Sequence, residues 1–181
     1  MTSCHSLYAL MSRRTAPTEQ ARVAGTAESP APTARLFIAV WPDAALRARL
    51  AGFRDHWRWP PGARLVADAN LHVTLHFIGS FARDRIAALG ERLAQVEIQP
   101  FGLQAESASI WRGGIAVLTL HGDVTGALDA LHVMIGCALR EFGIPLDPRP
   151  FAPHVTLART ASHAQPPNAL PKLDCARAAS R

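Results

Sequence analysis

Apolar residues in this chain fall into short continuous runs and longer stretches with helical spacing. Residues 36–41 form a continuous run, which predicts a strand buried on both faces. Residues 101–110 and 115–120 predict two further strands, joined by a turn at 112–114 that contains two glycines. Three helices are predicted from the helical spacing, over 46–57, 86–96 and 128–142.

Polar and conformationally special residues mark where these elements should begin and end. Asp43 and Ser80 are suited to cap the N-termini of the first two helices, and Gly143 is suited to follow the third in a left-handed conformation. A Trp-Pro-Pro-Gly sequence at 59–62 should end the first helix. Gly79 is expected to end the strand that precedes the second helix.

The tetrapeptide His-Val-Thr-Leu occurs twice, beginning at His72 and at His154. Its alternating β-branched residues predict a strand for each copy. Because successive side chains of a strand point to opposite faces, His72 should share a face with Thr74, and His154 with Thr156. By the same alternation, His76 should lie on the face of His72.

The two copies occur in similar surroundings. Each follows a predicted strand, a helix and a loop, in that order. Leu36 precedes His72 by 36 residues, and Ile115 precedes His154 by 39. This agreement predicts an internal duplication, with two lobes that each present one His/Thr strand to a shared cleft.

Length and composition are those of one globular domain. Of 181 residues, 49% are apolar and 18% are charged, and no apolar run approaches the ~20 residues that span a bilayer. The net charge of +5 rests almost entirely on arginine, since Lys172 is the only lysine. Arginine binds phosphate in a bidentate manner, so a phosphate-rich partner fits, although a GC-rich coding bias would explain the arginines equally well. The cysteines at 4, 137 and 175 have no metal or disulfide spacing, which favours a cytoplasmic location.

Both ends of the chain differ from its middle. Residues 1–34 are rich in Ala, Thr, Ser, Pro and Arg without apolar periodicity, which predicts a disordered N-terminal extension. A transit peptide would have a similar composition, and a non-native start codon upstream of the native one would explain the segment equally well. Residues 35–165 are the predicted bilobal domain. Residues 166–181 contain three prolines and no alternating apolar run, which predicts an irregular, truncated C-terminal tail.

Two histidines that face one cleft can divide the proton transfers of a reaction. With ordinary pKa values of about 6.5, one imidazole can accept a proton while the other donates one at neutral pH. In-line displacement at phosphorus needs this division, and the hydroxyls of Thr74 and Thr156 could hold the non-bridging oxygens. One histidine on a strand is more often structural, but two in duplicated contexts favour catalysis. The chain contains no nucleophile elbow, glycine-rich phosphate loop or metal-ligand spacing.

Three segments that include both motifs resemble a known family. Residues 35–40, 70–79 and 149–159 are similar to the bacterial and archaeal RNA 2′,3′-cyclic phosphodiesterases. Those enzymes belong to the 2H phosphoesterases, also called the 2′–5′ RNA ligase family. The paired motif with these flanks is highly specific, whereas one copy alone would be a weak signal.

The resemblance implies an α+β bilobal fold, with two antiparallel sheets around a central cleft, helices on the outside, no metal and no cofactor. Its site residues carry over to His72 as acid and His154 as base, with Thr74, Thr156 and Arg159 binding the substrate phosphate. The implied reaction opens 2′,3′-cyclic phosphates, at RNA ends or on nucleotides, to 2′-phosphomonoesters. The reverse 2′–5′ ligation would use the same site.

Some residues and segments fit the resemblance less well. Strand alternation places Arg159 on the face opposite His154, which weakens its assignment. Phe77 and Phe151 could stack on a base, but a core role is favoured for both. Family members continue past the second motif with further strands, and residues 161–181 show no strand pattern. We therefore expect an uncovered sheet edge and self-association.

Two alternative functions stay open. The same fold could hydrolyse a 2′,5′-linked oligonucleotide or a small cyclic nucleotide, since no motif constrains contacts to the base. In a function of another class, the two lobes would bind RNA or nucleotides without turnover.

Overall fold

The computed structural model describes residues 32–98 and 101–173. Within these residues, six strands and three α-helices follow one another along the chain. In order they are β1 (Thr33–Val40), α1 (Ala44–Asp55), β2 (Arg64–Leu65), β3 (Val73–Ala82), α2 (Ile86–Leu93), β4 (Leu103–Trp111), β5 (Ile115–Gly122), α3 (Ala127–Glu141) and β6 (His154–Arg159). The fold is therefore of the α+β class, as predicted.

The strands form one sheet in the order β1-β3-β6-β5-β4, and β2 pairs with the end of β6. All these pairings are antiparallel. At the centre, β3 and β6 are joined by a single residue pair, Val73 with Val155. The two predicted sheets are thus connected at this pair. Because β1–β3 and β5–β6 flank it on either side, the arrangement suits the predicted duplication, which stays a hypothesis.

The first and third helices begin or end where their sequences predict. The Leu46 N–H donates to the Asp43 side chain over 2.7 Å, so Asp43 is the N-cap of α1. Gly143 follows α3 with a φ of +81°, and the Ile144 N–H donates to the Leu139 carbonyl over 2.9 Å, as in a helix that ends at glycine. The apolar stripes of both helices belong to one buried core that also includes side chains of α2 and of the sheet.

The boundaries between β3 and α2 differ from the prediction. β3 does not end at Gly79 but runs to Ala82, and Gly79 has a φ of +79° where the pairing with β1 shifts its register. Glycine adopts this left-handed conformation without strain, so here it marks a bulge within the strand. Ser80 pairs with Arg35 in the sheet, and α2 begins at Ile86 without a side-chain cap. The prediction that Ser80 caps α2 is therefore wrong.

β1 begins at Thr33, inside the predicted N-terminal extension. Ala34 is only 4% exposed, and the Arg83 N–H donates to the Pro32 carbonyl over 2.9 Å. The sheet thus includes the last residues of the predicted extension, because Ala34 contributes to the core. The other residues of the extension, 1–31, lie outside the described residues.

Two other sequence predictions about the ends of the sheet are only partly met. β1 is buried on both faces from Ile38 to Val40, but Arg35 is exposed and Phe37 is half-buried. Residues 166–173 contain no helix or strand, while residues 174–181 lie outside the described residues. The described sheet has β1 and β4 at its edges, and self-association through an edge stays a prediction. None of the helices in this part of the chain is both long and apolar enough to cross a bilayer.

Candidate active site

The first motif strand contains a β-bulge at Leu75. The pairing of β3 with β1 passes from Thr74 to His76 and skips Leu75. One extra residue reverses the alternation of faces beyond it. Leu75 and His76 are accordingly both buried, and Phe77 is 59% exposed. The prediction that His76 shares a face with His72 is therefore wrong.

The second motif strand bulges at the corresponding leucine. The pairing of β6 with β5 passes from Thr156 to Ala158 and skips Leu157. Leu157 and Ala158 are both fully buried, and Arg159 is exposed. Alternation without a bulge would place Arg159 opposite His154. The bulge instead returns Arg159 to the side of His154, which corrects the prediction.

A cleft of about 1120 Å³ lies where β3 and β6 meet, and its wall includes all five predicted site residues: His72, Thr74, His154, Thr156 and Arg159. Val73 and Val155 pair at the base of this arrangement. In an antiparallel ladder, that register makes His72 and His154 diagonal neighbours, with backbones about 7–8 Å apart. A phosphate group between the two imidazole rings fits such a separation.

Both histidine rings are oriented in the same way. The Nδ1 of His72 bonds to the Asn70 carbonyl over 2.7 Å, and the Nδ1 of His154 bonds to the Ala152 carbonyl, also over 2.7 Å. A carbonyl oxygen only accepts, so each Nδ1 carries a proton and donates it. Nε2 is therefore the nitrogen that can exchange protons with a substrate in both copies.

The imidazole of His154 is half-buried next to an arginine and a tryptophan. Burial lowers the pKa of His154, the bond to the Ala152 carbonyl acts in the opposite direction, and the positive charge of Arg159 lowers the pKa further. The ring of Trp111 lies tilted against the imidazole, with 4.4 Å between centroids. These contacts favour the neutral form of His154 near pH 7.

The imidazole of His72 stacks against two aromatic rings, which also contact each other with 6.2 Å between their centroids. Its centroid is 5.1 Å from that of Phe37 and 4.8 Å from that of Trp41, and both contacts are stacked. The indole is held in place because its Nε1–H donates to the Ala69 carbonyl over 3.1 Å. Aromatic faces attract cations, so this position suits the protonated form of the ring.

A buried arginine supports the loop that precedes the first motif. Arg54 of α1 is 7% exposed, and its guanidinium donates to the Asp68 carboxylate over 2.8 Å and to the Val66 carbonyl. Both partners belong to the loop that ends at Asn70, whose carbonyl orients His72. Arg54 thus helps to fix the position of the first histidine.

Comparison with known proteins places this geometry in a family. The family model described as the 2′-5′ RNA ligase superfamily matches residues 41–181. The chain belongs to this superfamily. It is 33% identical over 135 residues to the RNA 2′,3′-cyclic phosphodiesterase of Escherichia coli, a match that covers 72% of this chain and 74% of that protein. A protein of the same name from Archaeoglobus fulgidus is 29% identical over 127 residues, with coverage of 69% and 72%.

The fold of this chain is also similar to solved structures of a related protein. LigT of Escherichia coli complexed with 3′-AMP superimposes with a TM-score of 0.62 at 29% identity, covering 78% of this chain and 79% of that one. The complex of LigT with NADP+ has a TM-score of 0.61 at 30% identity and the same coverage. The superfamily assignment therefore rests on sequence and on three-dimensional similarity.

In this member of the 2′–5′ RNA ligase superfamily, the cleft is lined by more arginines than the sequence analysis predicted. Arg35 and Arg64 line it together with Arg159, and within the described residues no Asp or Glu lines it. Arg35 and Arg64 were not predicted as site residues. The alternation of Arg35 with Leu36 could have placed it on the cleft face of β1. Arg64 carried no such signal, because β2 is only two residues long.

The two candidate base-stacking phenylalanines have different environments. Phe77 lies on the cleft wall, so the favoured core role is wrong for it. Phe151 is half-buried and packs on the ring of His132 with 4.0 Å between centroids, in agreement with a core role. Across 32–98 and 101–173, no three His, Cys, Asp or Glu side chains are grouped as the ligands of a metal would be.

Proposed function

We propose that this protein is an RNA 2′,3′-cyclic phosphodiesterase that uses two histidines and no metal ion. The observation that carries the proposal is the pair of identically oriented imidazoles, His72 and His154, on one arginine-lined cleft. Its relatives in Escherichia coli and Archaeoglobus fulgidus bear this name. In the reaction, the oxygen of water bonds to phosphorus, and the bond from phosphorus to the ribose 3′ oxygen breaks, which leaves a 2′-phosphomonoester.

The proton transfers divide between the two histidines according to their surroundings. His154 is the base, because its lowered pKa keeps Nε2 unprotonated and able to accept the proton of the attacking water. His72 is the acid, because the aromatic faces of Phe37 and Trp41 favour the imidazolium that donates to the departing 3′ oxygen. Each turnover leaves the protons on the opposite rings, and exchange with solvent restores the starting state.

Three further side chains bind the phosphate. The hydroxyls of Thr74 and Thr156 lie on the cleft wall beside the two histidines and can donate to the non-bridging oxygens. Arg159 adds a charge-assisted hydrogen bond to the same oxygens. Because negative charge grows on these oxygens during attack, such donors stabilise the transition state more than the substrate.

The substrate is an RNA end in preference to a free mononucleotide. The cleft volume of about 1120 Å³ exceeds the range of about 300–1,000 Å³ that is typical of small-molecule sites. Arg35 and Arg64 add to the positive charge of Arg159 on the cleft wall, which suits further RNA phosphates. In 2′–5′ ligation, the 5′-hydroxyl oxygen of a second RNA would bond to phosphorus in place of water while the bond to the 3′ oxygen breaks, so the same residues are needed. A cytoplasmic location fits an RNA substrate and stays a prediction.

The experiment that tests this function is a hydrolysis assay with EDTA present. A short RNA ending in a 2′,3′-cyclic phosphate should be converted to a 2′-phosphate, with one oxygen from ¹⁸O-labelled water in the product and no loss of rate on chelation. A 2′,5′-linked dinucleotide and 2′,3′-cyclic AMP, assayed in parallel, should react with lower kcat/KM. Tight binding of the cyclic-phosphate RNA without any product would contradict the proposal and favour a binding protein.

A further inference from the structure

Beneath the cleft, three parallel rings form a column that none of the catalytic steps above uses. The centroids of His76 and His132 are 4.1 Å apart with planes 7° from parallel, and those of His132 and Phe151 are 4.0 Å apart at 5°. The three residues belong to β3, to α3 and to the loop before β6. The column therefore connects both motif-bearing regions through α3.

The two histidines of the column make reciprocal bonds to the backbone. The Nε2 of His76 donates to the carbonyl of His132 over 2.9 Å, and the Nδ1 of His132 donates to the carbonyl of Leu75 over 3.2 Å. Leu75 is the bulged residue that the β1 pairing skips. A bulge leaves backbone groups outside the ladder, and a buried carbonyl needs a donor. His132 supplies that donor next to Thr74.

The other end of the column reaches the second motif. Phe151 immediately precedes Ala152, whose carbonyl accepts the Nδ1–H of His154 over 2.7 Å. The ring that stacks on His132 thus holds the chain that sets the orientation of His154. A single side chain of α3 thus contacts the bulge at the end of one motif and the loop before the other.

Gly136 of α3 lies next to the column. A Cβ on Gly136 would meet Cε1 of His76 at 3.4 Å, an ordinary contact, and Cδ1 of Leu146 at 3.1 Å, where the leucine would have to shift. The backbone of α3 therefore lies in direct contact with the His76 ring.

Burial favours the uncharged forms of both histidines in the column. Burial lowers the pKa of His76, its bond to the His132 carbonyl acts in the opposite direction, and the charge of Arg140 lowers it further. Burial and the neighbouring His76 lower the pKa of His132, whereas its bond to the Leu75 carbonyl and the charge of Asp129 act in the opposite direction. Protonation of both rings would place two positive charges 4.1 Å apart between centroids.

We propose that His132 is a positioning residue for the reaction: through its bond to Leu75 and its stack on Phe151, it holds the two motif strands in the geometry that brings His72 and His154 to one phosphate. The inference rests on the proposed cyclic-phosphate hydrolysis. It predicts that His132 affects kcat, because misplacement of catalytic groups slows chemistry, with little change in the affinity for RNA.

The test compares three substitutions of His132 with a matched control. His132→Ala should lower kcat by about tenfold or more, up to about 10²-fold, with KM within about twofold. His132→Asn keeps an N–H donor close to the place of Nδ1 and should recover most of kcat. His132→Phe keeps the stack on Phe151 but lacks the N–H donor, so it should keep the thermal stability of the wild type and still have a low kcat. His121→Ala replaces an exposed histidine outside the cleft and should behave as wild type.

A second measurement separates this inference from the proposed function. The ring resonances of His72 and His154, followed by NMR against pH, should move in His132→Ala and not in His121→Ala. If the rings respond but wild-type protein does not open the cyclic phosphate, the function fails and the positioning role stands. The positioning role is overturned if His132→Ala keeps wild-type kcat, if Phe restores kcat as well as Asn does, or if neither catalytic ring responds.

Discussion

The two copies of the His-Val-Thr-Leu motif share a backbone and differ in what surrounds it. In both, the strand bulges at the leucine, and the histidine Nδ1 binds a carbonyl two residues earlier over 2.7 Å. In both, the residue two positions after the leucine reaches the cleft wall, and it is Phe77 in the first copy and Arg159 in the second. The repeated backbone thus presents a different side chain in each half.

In the proposed mechanism, this difference accounts for how a repeated motif can perform two opposite proton transfers. The first histidine stacks against two aromatic rings, which suit a cation, and the second is half-buried beside an arginine, which suits a neutral ring. The proposed acid and the proposed base are therefore distinguished by their neighbours and not by the motif itself. Each prediction below changes one side of this comparison.

The largest effect is expected for the histidines. His72→Ala and His154→Ala should each lower kcat/KM against the cyclic-phosphate RNA by roughly 10²–10⁴-fold, because each removes one positioned proton transfer. The double variant should lose far less than the product of the two, since the residues act as one unit. Steady-state kinetics of the four proteins, with circular dichroism to verify the fold, measures this. Fully multiplicative losses would show that the two rings act independently.

An intermediate effect is expected for the two residues that follow the bulges. Arg159→Ala should lower kcat/KM by about 10–100-fold on every substrate, because it removes a charge-assisted hydrogen bond to phosphate. It should also raise the pKa of His154 slightly, because burial remains the larger cause. Phe77→Ala should raise KM about tenfold for substrates that carry a base to stack on. Arg112→Ala, in the turn between β4 and β5, is the matched control.

The smallest effect is expected for the threonines. Thr74→Ala and Thr156→Ala should each lower kcat/KM by about 2–10-fold, the loss of one ordinary hydrogen bond. Thr74→Ser and Thr156→Ser keep the hydroxyl and should stay close to wild type, as judged from the same kinetic assay. If serine were as damaging as alanine, the threonines would act through packing and not through a hydrogen bond to phosphate.

Much of the fold was predictable because local chemistry decides it. Asp43 caps α1, the glycines at 113 and 114 form the turn between β4 and β5, and Gly143 ends α3, each through contacts with near neighbours in the chain. The position of the four His and Thr residues on one cleft wall was also predictable. They directly flank the Val73–Val155 pair, before either bulge changes the alternation.

The side chains beyond the bulges could not be placed from the sequence. Leu75 and Leu157 show no glycine or other bulge signal, and the pairing partners that skip them lie on strands distant in the chain. The faces of His76 and Arg159 were therefore assigned wrongly, and a core role was wrongly favoured for Phe77. At Gly79 the error is the reverse. A glycine in this position is typical of a strand end, but here it permits a second shift in the pairing register, and β3 continues to Ala82.

The assignment of one histidine as acid and the other as base is tested most directly by the pH dependence of kcat/KM for His72→Ala and His154→Ala. Wild-type protein should give a bell-shaped profile whose acidic limb falls below about pH 6.5, since the base must be unprotonated and its pKa is lowered. The residual activity of His154→Ala should lose the acidic limb, and that of His72→Ala the alkaline limb. Profiles that lose the opposite limbs, or that keep both, would contradict the assignment of His154 as base and His72 as acid.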